Sequence, residues 1–279
     1  MLSCNNAEDI KQMARYGKAR GFLLAKRYKL PSFSNYYIVQ TQDDVQSLLK
    51  MHPEQNEFFM RADAKIGSHP ISVSGRNGTR ESIYNFFREI EENSAKVNSE
   101  GVALIYWSDG EFCHSYETDG SFYLDFCLGS KLLIDYVGKG WDGSVLSHGS
   151  VCHESFSIPW QDILLFEWKN SNEYRIKKVS DFEYQEQRKR RINDLVSKNV
   201  LSLKDAENAI PITYRGMSKY DLEDVIRDVI FPMYQNKELQ EHYKEFIPVV
   251  QFEKGRLVVP EIIGPDRLKK RDDTQKGER

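Results

Sequence analysis

The residues that could do chemistry gather most densely between Leu132 and Trp160, in the run LLIDYVGKGWDGSVLSHGSVCHESFSIPW. Leu132 to Val137 reads as a buried strand, and Val151 to Trp160 as a second strand ended by Pro159. Between them lie Gly138, Gly140, Gly143 and Gly149. Glycines at this density permit positive φ angles or a close approach of backbone to a ligand. Around them stand Lys139, Asp142, Ser144, Ser147, His148, His153 and Glu154. This set offers an ammonium, two imidazoles, carboxylates and hydroxyls, on the kind of loop that carries function when a rigid sheet presents it. The plain alternative is a long hairpin connection whose glycines only make turns.

Three sharper chemistries fail on spacing or residue type. Cys113-His114 and Cys152-His153-Glu154 bring zinc to mind, but adjacent ligands on a strand point to opposite faces and no CxxC spacing supports them. A cysteine nucleophile has no assigned base. The lysine-adenylation motif of polynucleotide ligases needs Lys-any-Asp-Gly. Lys139-Gly140-Trp141-Asp142-Gly143 is one residue too long, and Glu117-Thr118-Asp119-Gly120 places a carboxylate where the amine must stand.

The helix from Asp181 to Lys198 carries Gln185-Glu186-Gln187-Arg188-Lys189-Arg190-Arg191. It could meet nucleic acid, although Glu183, Glu186 and Asp194 make a solvated helix face the favoured reading. The chain as a whole, with a net charge of -3 over 279 residues, has no general field that attracts polyanions or anionic membrane. Four scattered cysteines do not make a disulfide scaffold. The polar N-terminus, MLSCNNAEDIKQ, lacks a signal-peptide pattern and no apolar run is long enough to span a bilayer, so a soluble cytoplasmic protein without membrane partners is expected.

Around these residues, Ala7 to Lys29 reads as a helix capped at Asn5 or Asn6 and weakened at Gly17 and Gly21. Tyr36 to Val39 is a strand, and Thr41 caps a helix through Met51. Phe58 to Arg61 is a strand followed by a polar, glycine-bearing segment from Ala62 to Gly78. Glu81 to Glu92 is a helix with Ile83, Phe86, Phe87 and Ile90 on one face. Val102 to Trp107 is a strand of the type buried on both faces. Strands are then expected at Phe112–Tyr116, Ser121–Phe126, Leu132–Val137, Val151–Ile158 and Ile163–Trp168, the first pair turning at Thr118-Asp119-Gly120. Helices follow at Asp181–Lys198, Ser202–Asn208 and Ser218–Tyr234, with Pro232 ending or kinking the last. Phe246–Phe252 and Arg256–Val259 form a terminal hairpin turned at Lys254-Gly255. The fold class is α+β. The expected parts are an N-terminal α+β subdomain (1–100), an antiparallel-sheet subdomain (101–180), a helical C-terminal region (181–263) and a flexible tail (264–279).

This order resembles the ATP-grasp nucleotide-binding superfamily, in its carboxylate–amine ligase and pyruvate-phosphate dikinase-like forms. The likeness covers roughly Ala7 to Asn172. A helix leads through Lys26-Arg27-Tyr28-Lys29-Leu30-Pro31 to the strand Tyr36–Val39 and an Asp-started helix. Phe58-Phe59-Met60-Arg61-Ala62-Asp63 looks like the strand that offers a cation to nucleotide phosphates. The resemblance implies an ATP-grasp-like architecture with ATP and Mg²⁺ bound between two subdomains. Arg61, Lys65 and Lys26 would face the phosphates, Arg61 through paired guanidinium donors. Ser68, His69 and Ser74 with Gly67, Gly75 and Gly78 would form a flap over them. Ile105 and Trp107 would lie against the adenine. Asp135, Asp142, Glu154, Glu167, Asn170 and Asn172 are the magnesium candidates, with Glu154, Glu167 and Asn170 put forward as ligands; Arg175 or Lys169 is the alternative partner for Glu167. Lys139, His148 and His153 would contact the second substrate or the transferred phosphoryl group. The superfamily's Glu-any-Asn metal motif is replaced here by Glu167-Trp168-Lys169-Asn170-Ser171-Asn172.

The implied activity is ligation. A substrate carboxylate becomes an acyl phosphate at the expense of ATP, and an amine or other nucleophile displaces phosphate. A non-catalytic nucleotide-binding or regulatory module of the same fold and a nucleic-acid-processing factor are the two other classes.

Overall fold

The computed structural model describes residues 1–109, 113–114, 116–125, 131–141, 143–147, 150–165, 171–236 and 247–263. The chain is α+β with two antiparallel sheets. It groups into two compact units, Met1–Phe112 with residues from Glu261 on, and Cys113–Pro260.

The first unit holds strands β1 (Leu2–Ser3), β2 (Asn35–Val39), β3 (Glu57–Ala64), β4 (Arg76–Thr79) and β5 (Gly101–Trp107), in the order β1-β2-β5-β3-β4. The apolar run Val102–Trp107 is the central strand, buried along its length and paired antiparallel with β2 and β3. The helix expected over Ala7–Lys29 is broken in two, α1 (Ala7–Met13) and α2 (Gly17–Arg27), with Gly17 opening the second. Asn6 caps α1 by accepting from the N–H groups of Glu8 and Asp9 at 2.9 and 3.4 Å. Thr41 and Asp44 form a capping box on α3 (Gln42–Met51). Helix α4 (Ser82–Val97) ends at Asn98, which takes a left-handed φ of 47°.

Strand alternation divides this sheet into two faces. Phe58, Met60 and Ala62 of β3, Ala103, Ile105 and Trp107 of β5, and Tyr37 and Val39 of β2 pack under Val45 and Leu48 of α3 and Ile83, Phe86, Phe87 and Ile90 of α4. Each large apolar side chain so buried contributes about 1.5–3 kcal/mol. On the other face Phe22 of α2 meets Tyr36 and Tyr106, with ring centroids 4.5 and 4.9 Å away. The glycine-bearing stretch Ala62–Gly78 is partly strand. β3 runs on to Ala64, and β4 pairs back against Glu57–Met60.

The second unit holds β6 (Thr118–Asp125), β7 (Lys131–Gly138), β8 (Glu154–Pro159), β9 (Arg175–Lys178), β10 (Ile247–Glu253) and β11 (Arg256–Ile263), ordered β11-β10-β6-β7-β8-β9. The terminal hairpin turns at Lys254-Gly255 as expected, with φ of 50° and 77°. The turn expected at Thr118-Asp119-Gly120 lies inside β6 instead. Gly120 is required there because a Cβ would sit 2.6 Å from the Tyr136 hydroxyl, which lies over it from β7. Ile163 and Leu164, expected in a strand, belong to a short helix; Phe166–Trp168 fall outside the described residues. Cys113 and His114 are not in a strand, and Phe112 and Ser115 lie outside the described residues.

The helices of this unit are α5 (Ser144–Ser147), α6 (Trp160–Leu164), α7 (Asp181–Ser197), α8 (Leu203–Ala209), α9 (Lys219–Val225) and α10 (Phe231–Gln235). A π turn, Ile226–Ile230, joins the last two. Pro232 has no N–H to return to a carbonyl one turn back, and the helix widens there rather than stopping. Among the described residues no helix is long and apolar enough to cross a membrane.

Candidate functional site

The candidate residues of the first unit separate by face. Arg61, Asp63 and the residue after the strand's end, Lys65, share one parity along β3; Met60 and Ala62 share the other. Arg61 stands opposite Leu104, and Ile105 opposite Met60. Arg61 is partly exposed, with Gly75 lying across its stem: a Cβ on that glycine would be 3.1 Å from Arg61 Cγ. Ile105 and Trp107 are on the opposite face, inside the helix-covered core. Trp107 stacks on Tyr37 at 5.4 Å and meets Phe58 edge-on at 5.4 Å. The structure thus brings Arg61 and Lys65 to one side of the sheet and does not bring Ile105 and Trp107 to them.

The two candidate lysines have partners within this unit. Lys65 is ion-paired with Glu100, which raises its pKa. Lys26, on the last turn of α2, donates to Asn5 Oδ1 at 2.8 Å and to the Cys4 carbonyl at 3.3 Å. In the expected flap Ser68 and His69 are exposed, Gly67 has a φ of 88°, and the His69 carbonyl accepts from the Ser99 hydroxyl at 3.0 Å.

Asp63 is the residue that sequence reasoning passed over. It is buried and accepts from the N–H groups of Lys18, Ala19 and Ala64 at 2.9–3.1 Å, so it caps α2 from the neighbouring strand. Burial pushes its carboxyl up, against those N–H groups and the Lys18 charge. Its only signal in the sequence is an acid two residues beyond Arg61, on the same strand face.

In the second unit His153 and Glu154 are fully buried at the start of β8. His153 Nδ1 accepts from the Gly138 N–H at 3.0 Å, which leaves the ring proton on Nε2. The rings of Trp141, Tyr184 and Tyr214 enclose it at 4.9–5.3 Å. Burial drops its pKa to about 4, so it is neutral at physiological pH. Glu154 has Arg175 Nε 3.7 Å away, and Met217 N–H and Tyr214 also face it, but neither carboxylate oxygen makes a hydrogen bond of normal geometry. Burial raises its pKa. Asp135 accepts from the Ser155 hydroxyl at 2.6 Å.

Lys139 follows β7 and is exposed, paired with Asp119 at 3.4 Å. It lines a cleft of about 470 Å³ with Tyr116, Glu117, Asp119, Lys254 and residues of α8. Lys139 and His153 are therefore near in the sheet, since His153 bonds Gly138, but one faces solvent and the other the interior. Glu167, Asn170, Asp142 and His148 lie outside the described residues. Among the described residues no group of three His, Cys, Asp or Glu side chains is placed to hold a metal ion.

No protein-family model matches the chain, and no curated protein matches it. Among solved structures it is similar to a dinucleotide-forming acetyl-coenzyme A synthetase 1 from Ca. Korarchaeum cryptofilum, at 12% identity and a TM-score of 0.46 over 92% of this chain and 98% of that one. It is also similar to the D-cycloserine synthetase DcsG, at 10% identity and a TM-score of 0.40 over 92% and 64%. A third is the D-alanine–D-alanine ligase of Helicobacter pylori, at 8% identity and a TM-score of 0.39 over 88% and 53%. At these values the likenesses assign no role to any residue of this chain.

Proposed function

We propose that the protein is an ATP-dependent ligase of ATP-grasp type. The observation that carries this reading is the position of Arg61 in the order of elements that the sequence resemblance calls for. Helix α2, Pro31, β2 and α3 lead to β3, where Arg61 stands on the sheet face away from α3 and α4; an antiparallel sheet follows later in the chain. A guanidinium offers five donors in a fixed fork that matches phosphate oxygens.

In the reaction, a substrate carboxylate oxygen attacks the γ-phosphorus of ATP and the bond to ADP breaks, giving an acyl phosphate. An amine then attacks the acyl carbon, the bond to phosphate breaks, and the amine loses a proton. Arg61 would offset the charge that develops on the transferred group, which is most of what phosphoryl transfer asks of a protein. Lys65 and Lys26 would have to leave Glu100 and Asn5 to assist it. The described residues do not by themselves make a magnesium site, because Glu154 faces Arg175 and no group of three His, Cys, Asp or Glu side chains among them is placed to hold a metal ion.

A non-catalytic nucleotide-binding module is the second reading, favoured by the partners already held by Lys65 and Lys26. The basic face of α7 offers less to nucleic acid than its composition suggests. Arg188 donates to the carbonyls of Glu207, Ile210 and Pro211, and Arg191 lies over Trp141. The test is a thermal shift with adenine and guanine nucleotides, with and without magnesium. At a hundredfold excess over Kd, binding stabilises the folded state by about 2.7 kcal/mol. Arg61→Gln should remove the shift, and no shift with any nucleotide sinks the proposal. ADP release on adding carboxylates and amines separates the enzyme from the module.

A further inference from the structure

The cleft beside Lys139 is distinct from Arg61 and belongs entirely to the second unit. It has a volume of about 470 Å³ and opens widely to solvent. Its two charged sides differ. On the sheet side Lys139 directly follows β7 and Lys254 sits in the β10–β11 turn. On the helix side Asp205 and Asn208 are one turn apart on α8 and so share a face. Leu201, Ala209 and Tyr116 add apolar surface.

We infer that this cleft binds a small dipolar molecule carrying one carboxylate and one ammonium. Each lysine stands beside an acid. Lys139 meets Asp119 at 3.4 Å and Lys254 meets Glu117 at 3.8 Å, and each ammonium has three N–H donors. Surface pairs of this kind are weak, so a ligand carboxylate can share the cations. Asp205 is held differently. Its Oδ2 accepts from the Ser202 hydroxyl at 2.6 Å, and its own N–H donates back to Ser202 at 3.2 Å, the N-cap of α8. These bonds hold the side chain at the N-terminus of α8, on the wall of the cleft where a ligand ammonium would meet it and the Asn208 amide. A simple anion would meet Glu117, Asp119 and Asp205, and a simple cation would meet both lysines. Only a ligand with both charges satisfies both sides.

The test is titration calorimetry on the full chain without nucleotide, using alanine and leucine as probes and acetate and methylamine as their separate halves. Saturable binding of an amino acid, at least tenfold tighter than either half, is the expected result. Lys139→Gln and Asp205→Asn should each weaken it about tenfold, the size of one lost charged contact. Both side chains are exposed, so an unchanged circular dichroism spectrum should accompany the loss. Absence of binding, equal binding of the halves, or binding that neither variant alters overturns the inference. Because nucleotide is absent, this result is independent of whether Arg61 binds ATP.

Discussion

Asp63 in the first unit and Glu154 in the second are both buried carboxylates at a strand end, and they are treated oppositely by their surroundings. Asp63 receives three backbone N–H groups, two of them from the first turn of α2. Glu154 has one cation at 3.7 Å and no hydrogen bond to either oxygen. His153 and Glu253 extend the contrast: the Gln187 side chain faces His153 without a hydrogen bond of normal geometry to Nε2, and Glu253 Oε2 is buried without a hydrogen-bond partner among the described residues. The first unit uses a buried charge to lock a helix onto a sheet. The second carries buried groups that its own fold does not fully satisfy, the pattern expected where a site rather than packing decides the residue.

The largest consequence is in the pH dependence of stability. Burial pushes Glu253 up to about 7 from an ordinary 4.5. The folded state therefore holds its proton more tightly than the unfolded chain. That contribution is full below about pH 4.5 and is lost as pH rises through about 7, a change of about 3 kcal/mol. His153 is held down at about 4 against an ordinary 6.5. Its contribution is full above about pH 6.5 and is lost as pH falls toward 4, by a similar amount. The two oppose each other between about pH 4.5 and 6.5. Glu253→Gln should remove the alkaline loss and expose the acid one, so that the unfolding free energies of variant and parent, measured by urea titration, diverge by about 3 kcal/mol between pH 4.5 and 8. Parallel pH profiles would show that Glu253 is not buried as a neutral acid, and the contrast between the units would weaken.

Asp63→Ala should lower stability by about 2 kcal/mol, because three N–H groups lose a charged acceptor where water has little access. The first unit reports this through Trp107, the only tryptophan in residues 1–112. Amide exchange at Lys18 and Ala19 should rise with it, whereas exchange along α4 should change less. A uniform rise across both helices would mean that Asp63 supports the whole unit and not one helix end.

A pair of arginines gives a slightly smaller effect on both sides of the comparison. Arg80 donates to the carbonyls of Leu49, His52 and Gln55 at 2.6–2.8 Å, closing the C-terminal end of α3. Arg188 does the same for α8 through Glu207, Ile210 and Pro211 at 2.9–3.1 Å. Either Arg→Gln change should destabilise by about 1.5 kcal/mol, while Lys189→Gln, on the exposed side of α7, should stay within about 0.5 kcal/mol. Thermal melts of the three variants decide it. Equal effects of Arg188 and Lys189 would return α7 to a plain solvated helix.

How much of this could be read from the sequence follows from how local each cause is. The Thr41 capping box, the Lys254-Gly255 turn and the buried run Val102–Trp107 are set by neighbouring residues, and all three were legible. Asp119-Gly120 reads as a turn for the same local reason, yet Gly120 is there because Tyr136, sixteen positions on in the chain, covers it. The site suffered most from this. Arg61 and Trp107 both stand on apolar strands, but only the Arg61–Leu104 register reveals that they point to opposite faces. A shift of one residue would have put them together. Asp63 and Arg188 act across 44 and 22 positions, on backbone groups that no side-chain pattern advertises.

The smallest expected effect bears most directly on Glu154. Glu154→Gln keeps the shape and removes the charge. If the carboxylate is as poorly satisfied as its geometry indicates, its burial opposes folding, because the desolvation of a charge exceeds what a single cation at 3.7 Å returns. The variant should then be more stable than the parent by about 1 kcal/mol at pH 8, and the gain should shrink as pH falls, because the raised pKa lets the folded carboxyl take up its proton before the unfolded one does. Arg175 does not reverse the sign, since it is partly exposed and can turn to water. A loss of stability on Glu154→Gln would mean that the Met217 N–H and the Tyr214 hydroxyl close on the carboxylate as the helix end closes on Asp63. The two units would then handle buried charge alike. A gain would leave Glu154 as a carboxylate retained against its own cost to the fold, and would direct the search for a ligand to the segment from Tyr214 to Met217 that faces it.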